Sequence, residues 1–255
     1  MYKRQIEVTD LTLAYGERVI QRDLTFTVAA GDVFIIMGGS GCGKSTLLRN
    51  MLGLEHPARG EVQYDGHSYT SASPARQRQM RMNWGVTFQQ GALISAMTLA
   101  ENLSLPLELY TRMSAGERAD LISLKLSLVG LEGYQNYFPS EISGGMRKRA
   151  ALARAIMLDP EFLFFDEPSA GLDPISSRRL DDLIATLAES MGATVVMVTH
   201  ELDSIFAIAT QSIYLDNESR TLLDQGPPLH LKTHSEHAVV REFLNRGVAE
   251  AASGG

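Results

Sequence analysis

Residues 38–45 have the pattern glycine, four residues, Gly-Lys-Ser, which is typical of a loop that binds phosphate. The pattern follows an apolar run at residues 33–37 and precedes a run compatible with a helix at residues 46–51. Glycines let successive backbone N–H groups point inward around phosphate oxygens, and the helix that follows adds its positive N-terminal end. We therefore expect phosphate contacts from the whole loop: Gly38, Gly39, Ser40, Gly41, Cys42, Gly43, Lys44, Ser45 and Thr46.

Three side chains of this loop have distinct expected roles. Lys44 is predicted to neutralise the β- and γ-phosphates of a nucleotide, and the Ser45 hydroxyl to ligate Mg²⁺. Cys42 is either a reactive thiol near a cationic site or a small packing residue, and we favour the packing role.

Two acids, Asp166 and Glu167, follow the apolar run at residues 162–165. A buried strand that delivers carboxylates at its carboxyl end suits the crevice where open α/β sheets bind ligands. Asp166 is predicted to hold Mg²⁺, directly or through water, and Glu167 to accept a proton from the attacking water.

Two further polar side chains follow predicted strands. His200 comes after residues 194–199, where it could hydrogen-bond the γ-phosphate and orient the water. Gln89 comes after residues 86–88 and is predicted to respond to γ-phosphate and to Mg²⁺, as a metal ligand with a catalytic role. Gln90 is adjacent and would be the alternative to Gln89.

The elements that must position these residues alternate between strands and helices, which favours an α/β sheet layer. The runs at residues 33–37, 162–165 and 194–199 are almost continuously apolar, as expected for parallel strands covered on both faces. Helix starts are predicted at four places from capping and proline signals: Lys44, Pro74 after Ser73, Ser114 with Glu117, and Pro174 after Asp173. The stretch from about residue 90 to 157 is predicted to be mostly helical.

Composition restricts the partners. The 255 residues carry a net charge of −7, which disfavours nucleic acid and anionic lipid headgroups as direct ligands. No run approaches the roughly 20 apolar residues of a membrane span, and the start lacks the apolar segment of a secretory signal. The single cysteine is compatible with a reducing compartment.

A second glycine-containing helix start lies at Ser143, Gly144 and Gly145. Ser143 can cap the helix, whose N-terminus favours an anion, and the glycines permit close backbone approach. Ser-Gly-Gly at a helix start, just before a strand ending in Asp-Glu, resembles the signature of the ABC ATPases; the resemblance covers about residues 4–228. It implies an ATP hydrolase with ATP and Mg²⁺ as cofactors and a head-to-tail dimer, in which each signature covers the ATP of the opposite copy.

The resemblance also implies the architecture. The fold class is α/β, a P-loop NTPase core with an antiparallel β subdomain and a helical signature subdomain. The ABC ATPase domain is expected at residues 1–236, with the helical subdomain at about residues 90–157. Val239 with Phe243, and Val240 with Leu244, have helical spacing, which predicts a C-terminal docking helix. This helix and a flexible tail from Val248 are expected within residues 237–255, and the helix would dock on its own domain or on a neighbouring subunit.

Other positions match the ABC pattern or depart from it. Tyr15 is placed like the aromatic residue that stacks on adenine, with a packing role in a strand as the alternative. Residues 170–173 look like the loop that crosses the dimer. Met146 replaces the more usual glutamine of the signature and Ala170 a common serine, and neither change removes a phosphate ligand.

Four segments look most like the Mla-type, MCE-associated ATPases of bacterial phospholipid transport: residues 88–93, 143–155, 171–175 and 239–244. That group implies an integral membrane permease dimer as partner, with a small cytosolic regulatory subunit and a periplasmic MCE-type lipid-binding protein. The expected location is peripheral, on the cytoplasmic face of the inner membrane.

Three alternatives remain beside lipid transport. The ATPase could serve a transporter of amino acids, metal chelates or lipoproteins. A DNA-maintenance ABC ATPase is disfavoured because fewer than 100 residues, without sustained heptads, separate Lys44 from Ser143. A GTPase switch is disfavoured because the chain has no Asn-Lys-x-Asp sequence.

Overall fold

The computed structural model describes residues 4–89 and 91–252, and the side chains as far as residue 246. The elements in chain order are β1 (Ile6–Tyr15), β2 (Arg18–Val28), β3 (Val33–Gly38), α1 (Lys44–Met51), β4 (Arg59–Tyr64), β5 (His67–Ser68), α2 (Pro74–Arg81), β6 (Trp84–Thr87), α3 (Leu99–Tyr110), α4 (Ala115–Leu128), α5 (Gly144–Ala155), β7 (Phe162–Asp166), α6 (Pro174–Met191), β8 (Thr194–Val198), α7 (Leu202–Ile208), β9 (Gln211–Leu215), β10 (Leu222–Gly226), α8 (Pro228–His234) and α9 (Ala238–Ala252). They form two compact units, one of residues 1–77 and 194–255 and one of residues 78–193.

The first unit contains the expected antiparallel sheet, in the strand order β2, β1, β4, β5. Strand β1 pairs with β2 from Ile6 opposite Val28 to Tyr15 opposite Arg18, with an irregularity between Val8 and Leu11. Apolar side chains of β1 are buried between more exposed neighbours, as in a sheet with one covered face. The irregularity shifts the apolar period within β1.

The same unit holds a parallel group of strands with β3 at its centre. Strand β3 pairs in parallel with β8 on one side and with β9 on the other, and β10 adds to β9 in the antiparallel sense. Every residue of β3 and β8 is buried. This burial confirms the interpretation of their continuous apolar sequence as strands covered on both faces.

The second unit contains one parallel strand pair and most of the long helices. Strands β6 and β7 pair from Trp84 opposite Phe162 to Thr87 opposite Phe165. Ser114 and Glu117 form the predicted capping box of α4, and Asp173 caps α6 by accepting from the Ser176 N–H. These helix starts were predictable because a cap depends on residues within one turn.

The C-terminal helix α9 packs against its own unit. Val240, Phe243 and Leu244 are buried, and the Phe243 ring meets the Tyr214 ring edge-on at 5.4 Å. The expected flexible tail from Val248 is corrected in part, because α9 continues to Ala252; alanine and glutamate at these positions have high helix propensity. The remainder of that predicted tail, residues 253–255, lies outside the described residues.

Within residues 4–89 and 91–252, no helix combines the length and the apolar character needed to cross a bilayer.

Candidate functional site

The phosphate loop connects the buried strand β3 to helix α1 in the first unit. Lys44, the first residue of α1, is buried, and its ammonium donates hydrogen bonds to the carbonyls of Gly38 (3.0 Å) and Gly39 (2.9 Å). The side chain therefore folds back across the loop and holds a positive charge inside it. Ser45 and Thr46 follow in the first turn of α1, where the N–H groups and the helix dipole favour an anion.

Two positions of this loop require glycine on geometric grounds. Gly38 has φ 149°, and a Cβ there would lie 2.3 Å from the Leu215 carbonyl oxygen in the paired strand β9. Gly43 has φ 98°, and a Cβ there would lie 2.7 Å from Ile20. Ser40 and Gly41, at the tip, are exposed and accessible to a ligand.

Gln21 supports this loop, a role that the sequence did not reveal. Its side chain is completely buried, and Nε2 donates to the carbonyls of Cys42 (2.7 Å) and Asp216 (2.8 Å). Asp216 lies 195 positions away along the chain, so no local pattern could indicate this contact. The same amide group thus connects the loop to the end of β9.

The structure supports the packing role of Cys42. The thiol is buried beside Gly38, and burial raises its pKa despite the nearby Lys44 ammonium. A raised pKa keeps the thiol protonated, whereas a reactive cysteine needs the thiolate.

Two other predicted residues belong to the first unit. His200 directly follows β8, and β8 runs parallel to β3 with Val198 opposite Ile36, so His200 and the phosphate loop leave the sheet at the same edge. The His200 ring is exposed and lies 3.8 Å from the Glu201 carboxylate. Tyr15 ends β1 with 52% of its surface exposed, and its hydroxyl donates to Glu55 at 2.7 Å.

The second unit brings Gln89, Asp166 and Glu167 together. Asp166 ends β7, and Gln89 and Glu167 follow β6 and β7 at the same edge, because these strands are parallel and Thr87 pairs with Phe165. Asp166 is buried, whereas Gln89 is exposed. Gln90, the alternative to Gln89, lies outside the described residues. Glu167 has φ 51°, a backbone conformation that is uncommon for a residue with a side chain.

Ser143 occupies the predicted cap of α5. Its hydroxyl accepts from the Met146 N–H at 3.2 Å. A Cβ at Gly144 or Gly145 would make only ordinary contacts, at 3.8 and 3.9 Å, within this chain. Internal packing therefore does not explain these two glycines.

An open cavity of about 690 Å³ lies at this helix start. The signature residues line one part of it, and Gly171, Leu172 and Asp173 line another. Arg149 and Arg179 add two cations. The sequence indicated the signature and the 170–173 loop separately, and the structure places them around one cavity.

The donor set fits a nucleotide with Mg²⁺. Ser45, Gln89 and Asp166 each offer an oxygen atom, the donor that Mg²⁺ prefers. Among the residues that the structure describes, no group of three or more His, Cys, Asp or Glu side chains is arranged to hold a metal.

Comparison with known proteins places residues 21–170 within the family described as ABC transporter. The chain is 40% identical over 240 residues to the probable ribonucleotide transport ATP-binding protein mkl of Mycobacterium tuberculosis H37Rv, which covers 94% of this chain and 66% of that protein. It is 36% identical over 245 residues to the intermembrane phospholipid transport system ATP-binding protein MlaF of Escherichia coli K12, covering 96% of this chain and 90% of that protein. It thus spans just under two thirds of the mycobacterial relative.

Solved structures show the same fold. A bacterial ABC transporter cassette, MJ0796, described in its dimeric form, superposes with a TM-score of 0.79 at 31% identity, over 87% of this chain and 98% of that chain. The same cassette in a dimeric post-hydrolysis state, bound to ADP and phosphate, also gives 0.79, at 30% identity.

Proposed function

The chain belongs to the ABC transporter family, as the resemblance of its signature predicted, and we propose that it binds and hydrolyses ATP. We propose further that this hydrolysis energises phospholipid trafficking across the bacterial envelope through a separate permease. The observation that carries the proposal is the phosphate loop, in which the buried Lys44 ammonium lies against the carbonyls of Gly38 and Gly39 at the N-terminus of α1. This arrangement offers a fixed cation and the N-terminus of a helix to a triphosphate.

Hydrolysis is assigned to three side chains. Glu167 accepts the proton of the attacking water, His200 contacts the γ-phosphate, and Gln89 responds to the γ-phosphate and the metal. Mg²⁺ is assigned to Ser45, Gln89 and Asp166, where it would neutralise developing charge on the phosphates. Tyr15 stacks on adenine; its exposed position at the end of β1 supports this role.

A second copy of the chain supplies the signature in a head-to-tail dimer. Glycine costs about 1 kcal/mol relative to alanine within a helix, and Gly144 and Gly145 meet no crowding in their own chain. An explanation for these glycines is the close approach of a phosphate from outside. The dimeric form of the related cassette supports such pairing.

The permease is proposed to contact residues 91–109, part of the helical subdomain at about residues 90–157 within the ABC domain of residues 1–236. Residues 237–255 form the C-terminal docking region. The subunit would be peripheral, on the cytoplasmic face of the inner membrane, with a small cytosolic regulatory subunit and a periplasmic MCE-type protein as further partners. The MlaF name supports this assembly, since the chain covers 90% of that relative.

The mycobacterial relative is named for ribonucleotide transport, so the substrate needs a direct test. The chain would be co-expressed with the permease encoded beside it, and the complex reconstituted in vesicles. We expect ATP-dependent transfer of labelled phospholipid. Transfer should be lost with Lys44→Ala, because this change removes the ammonium that contacts the phosphates of ATP. Transfer of a ribonucleotide, an amino acid, a metal chelate or a lipoprotein instead would contradict the lipid assignment while keeping the ATPase.

A further inference from the structure

Lys148, on helix α5, connects two loops that the proposed chemistry uses. Its ammonium donates to the main-chain carbonyl of Gln89 and, at 3.5 Å, to that of Glu167. These residues follow β6 and β7, two strands that already pair side by side. A single cation on the signature helix thus holds both loop backbones.

The Lys148 ammonium is partly buried and lies near the negative charge of Glu167. Burial lowers the pKa of the Lys148 ammonium, and the negative charge of Glu167 acts in the opposite direction. This partly buried ammonium donates to two backbone carbonyls. It is therefore held in place more firmly than a solvent-exposed lysine.

Glu167 needs such support. Its φ of 51° lies in the left-handed region, which a residue with a side chain keeps only where the surrounding structure enforces it. The Glu167 carbonyl accepts from the Ala170 N–H at 3.3 Å and from Lys148. Both contacts fix the peptide that orients the Glu167 side chain.

Arg154, further along the same helix, holds the segment after Gln89. Its guanidinium donates to the carbonyls of Ala92 (2.8 Å) and Gly91 (3.3 Å). Lys148 and Arg154, both on α5, therefore hold Gln89 and residues 91–92 against the helix that begins at the signature.

We propose that Lys148 is a positioning residue for ATP hydrolysis, which holds the backbones of Gln89 and Glu167 in one arrangement with helix α5. It acts through Glu167 and touches no reacting atom in this chain, because its donors are directed at backbone carbonyls. The inference rests on the proposed role of Glu167 as the base.

The test compares Lys148→Met, which keeps the length of the side chain but removes the donors, with Lys148→Arg, which keeps donors and charge. In the full-length dimer we expect Lys148→Met to lower kcat by about 10-fold to 100-fold, because a misplaced base loses orientation. The KM for ATP should stay within about threefold, since no ATP contact is removed. Lys148→Arg should recover most of kcat.

Lys125→Met is the matched control. Lys125 is a buried lysine of the same unit, paired with Asp159 and outside both loops. We expect this variant to lower the melting temperature and leave kcat unchanged. Hydrogen exchange of the amides at residues 91–97 should rise in Lys148→Met and not in Lys125→Met.

Two results would overturn the inference: a kcat in Lys148→Met equal to that of Lys125→Met, or a Lys148→Arg variant as slow as Lys148→Met. Glu167→Gln separates this failure from failure of the proposed function. If Glu167→Gln abolishes turnover and Lys148→Met does not, only the role of Lys148 is wrong. If Glu167→Gln keeps normal turnover, the assigned base is wrong.

Discussion

At the residue scale, Asp166 and Glu167 are neighbours in sequence with different surroundings. Asp166 is a buried member of β7, whereas Glu167 begins the loop in a left-handed conformation, so its side chain departs from the strand in a different direction. A buried carboxylate at a strand end suits a metal, and a carboxylate on a turned peptide suits a water molecule in front of the phosphate. The local backbone thus gives the two acids different surroundings, as their two proposed roles require.

Replacing Glu167 by glutamine tests this separation. Glutamine keeps the size and the backbone but cannot accept the proton, so we expect ATP binding to persist and kcat to fall by about 10²- to 10⁴-fold. The ATP-bound dimer should then accumulate, because opening requires hydrolysis. The measurements are steady-state turnover, ATP retained after desalting and size-exclusion chromatography with ATP and Mg²⁺. Normal turnover would show that another group is the base.

At the scale of elements, the phosphate loop depends on a contact from outside the strand–loop–helix motif. Gln21 lies on β2, and its amide donates to the Cys42 carbonyl within the loop and to the Asp216 carbonyl after β9. Three segments that are distant in sequence thus meet at one buried side chain. Preorganisation of a loop lowers the entropy that a ligand must remove on binding.

We therefore expect Gln21→Leu to weaken ATP binding as well as the fold. Leucine leaves one buried and one partly buried carbonyl without this donor, which should reduce the free energy of unfolding by about 1–3 kcal/mol. Urea denaturation would measure stability, and calorimetric titration would measure ATP affinity. Gln63→Leu is the control, because Gln63 lies on β4 and donates to Glu61 instead of the loop. Equal ATP affinities in the two variants would show that Gln21 is purely structural.

The difference between Gln21 and Ser143 shows what the sequence could predict. Ser143 caps a helix through Met146, three residues away, and a contact of this range leaves a recognisable local pattern. The buried strands β3 and β8 were predictable in the same way from continuous apolar runs. The contacts of Gln21 and Lys148 join elements that are distant in sequence. No local sequence pattern predicts such contacts.

In the C-terminal region, too, the sequence predicted local structure but not tertiary packing. The spacing of Val239 with Phe243 and of Val240 with Leu244 predicted a helix, but whether it packed on its own unit depended on Tyr214 in β9. The short helix α8 before it has no strong apolar period and was not predicted. Elements with long periodic sequences were therefore easier to predict than short elements that depend on tertiary packing.

At the scale of the whole molecule, the question is whether one chain can complete the proposed site. The signature of α5 and the phosphate loop are both helix starts suited to phosphate, and the proposed site places the nucleotide of each copy in its own phosphate loop. If the signature serves the nucleotide of a second copy, damage to it should appear in the partner's site. Two substitutions, one in the phosphate loop and one in the signature, can be placed in the same copy or in different copies. The two placements give different results for a signature that acts on the partner's nucleotide and for one that acts on its own.

We expect a dimer with Lys44→Ala in one copy and Ser143→Arg in the other to keep one intact site. Both substitutions then fall on the same composite site, whereas a double-substituted copy paired with an unsubstituted copy would damage both. Dimers isolated through two affinity tags, each copy also carrying Glu167→Gln, would be assayed for ATP retained after desalting. The split dimer should retain about one ATP and the combined dimer none, since each composite site holds one nucleotide. The reverse result would mean that the signature acts on the nucleotide of its own chain, and the proposed head-to-tail dimer would be wrong.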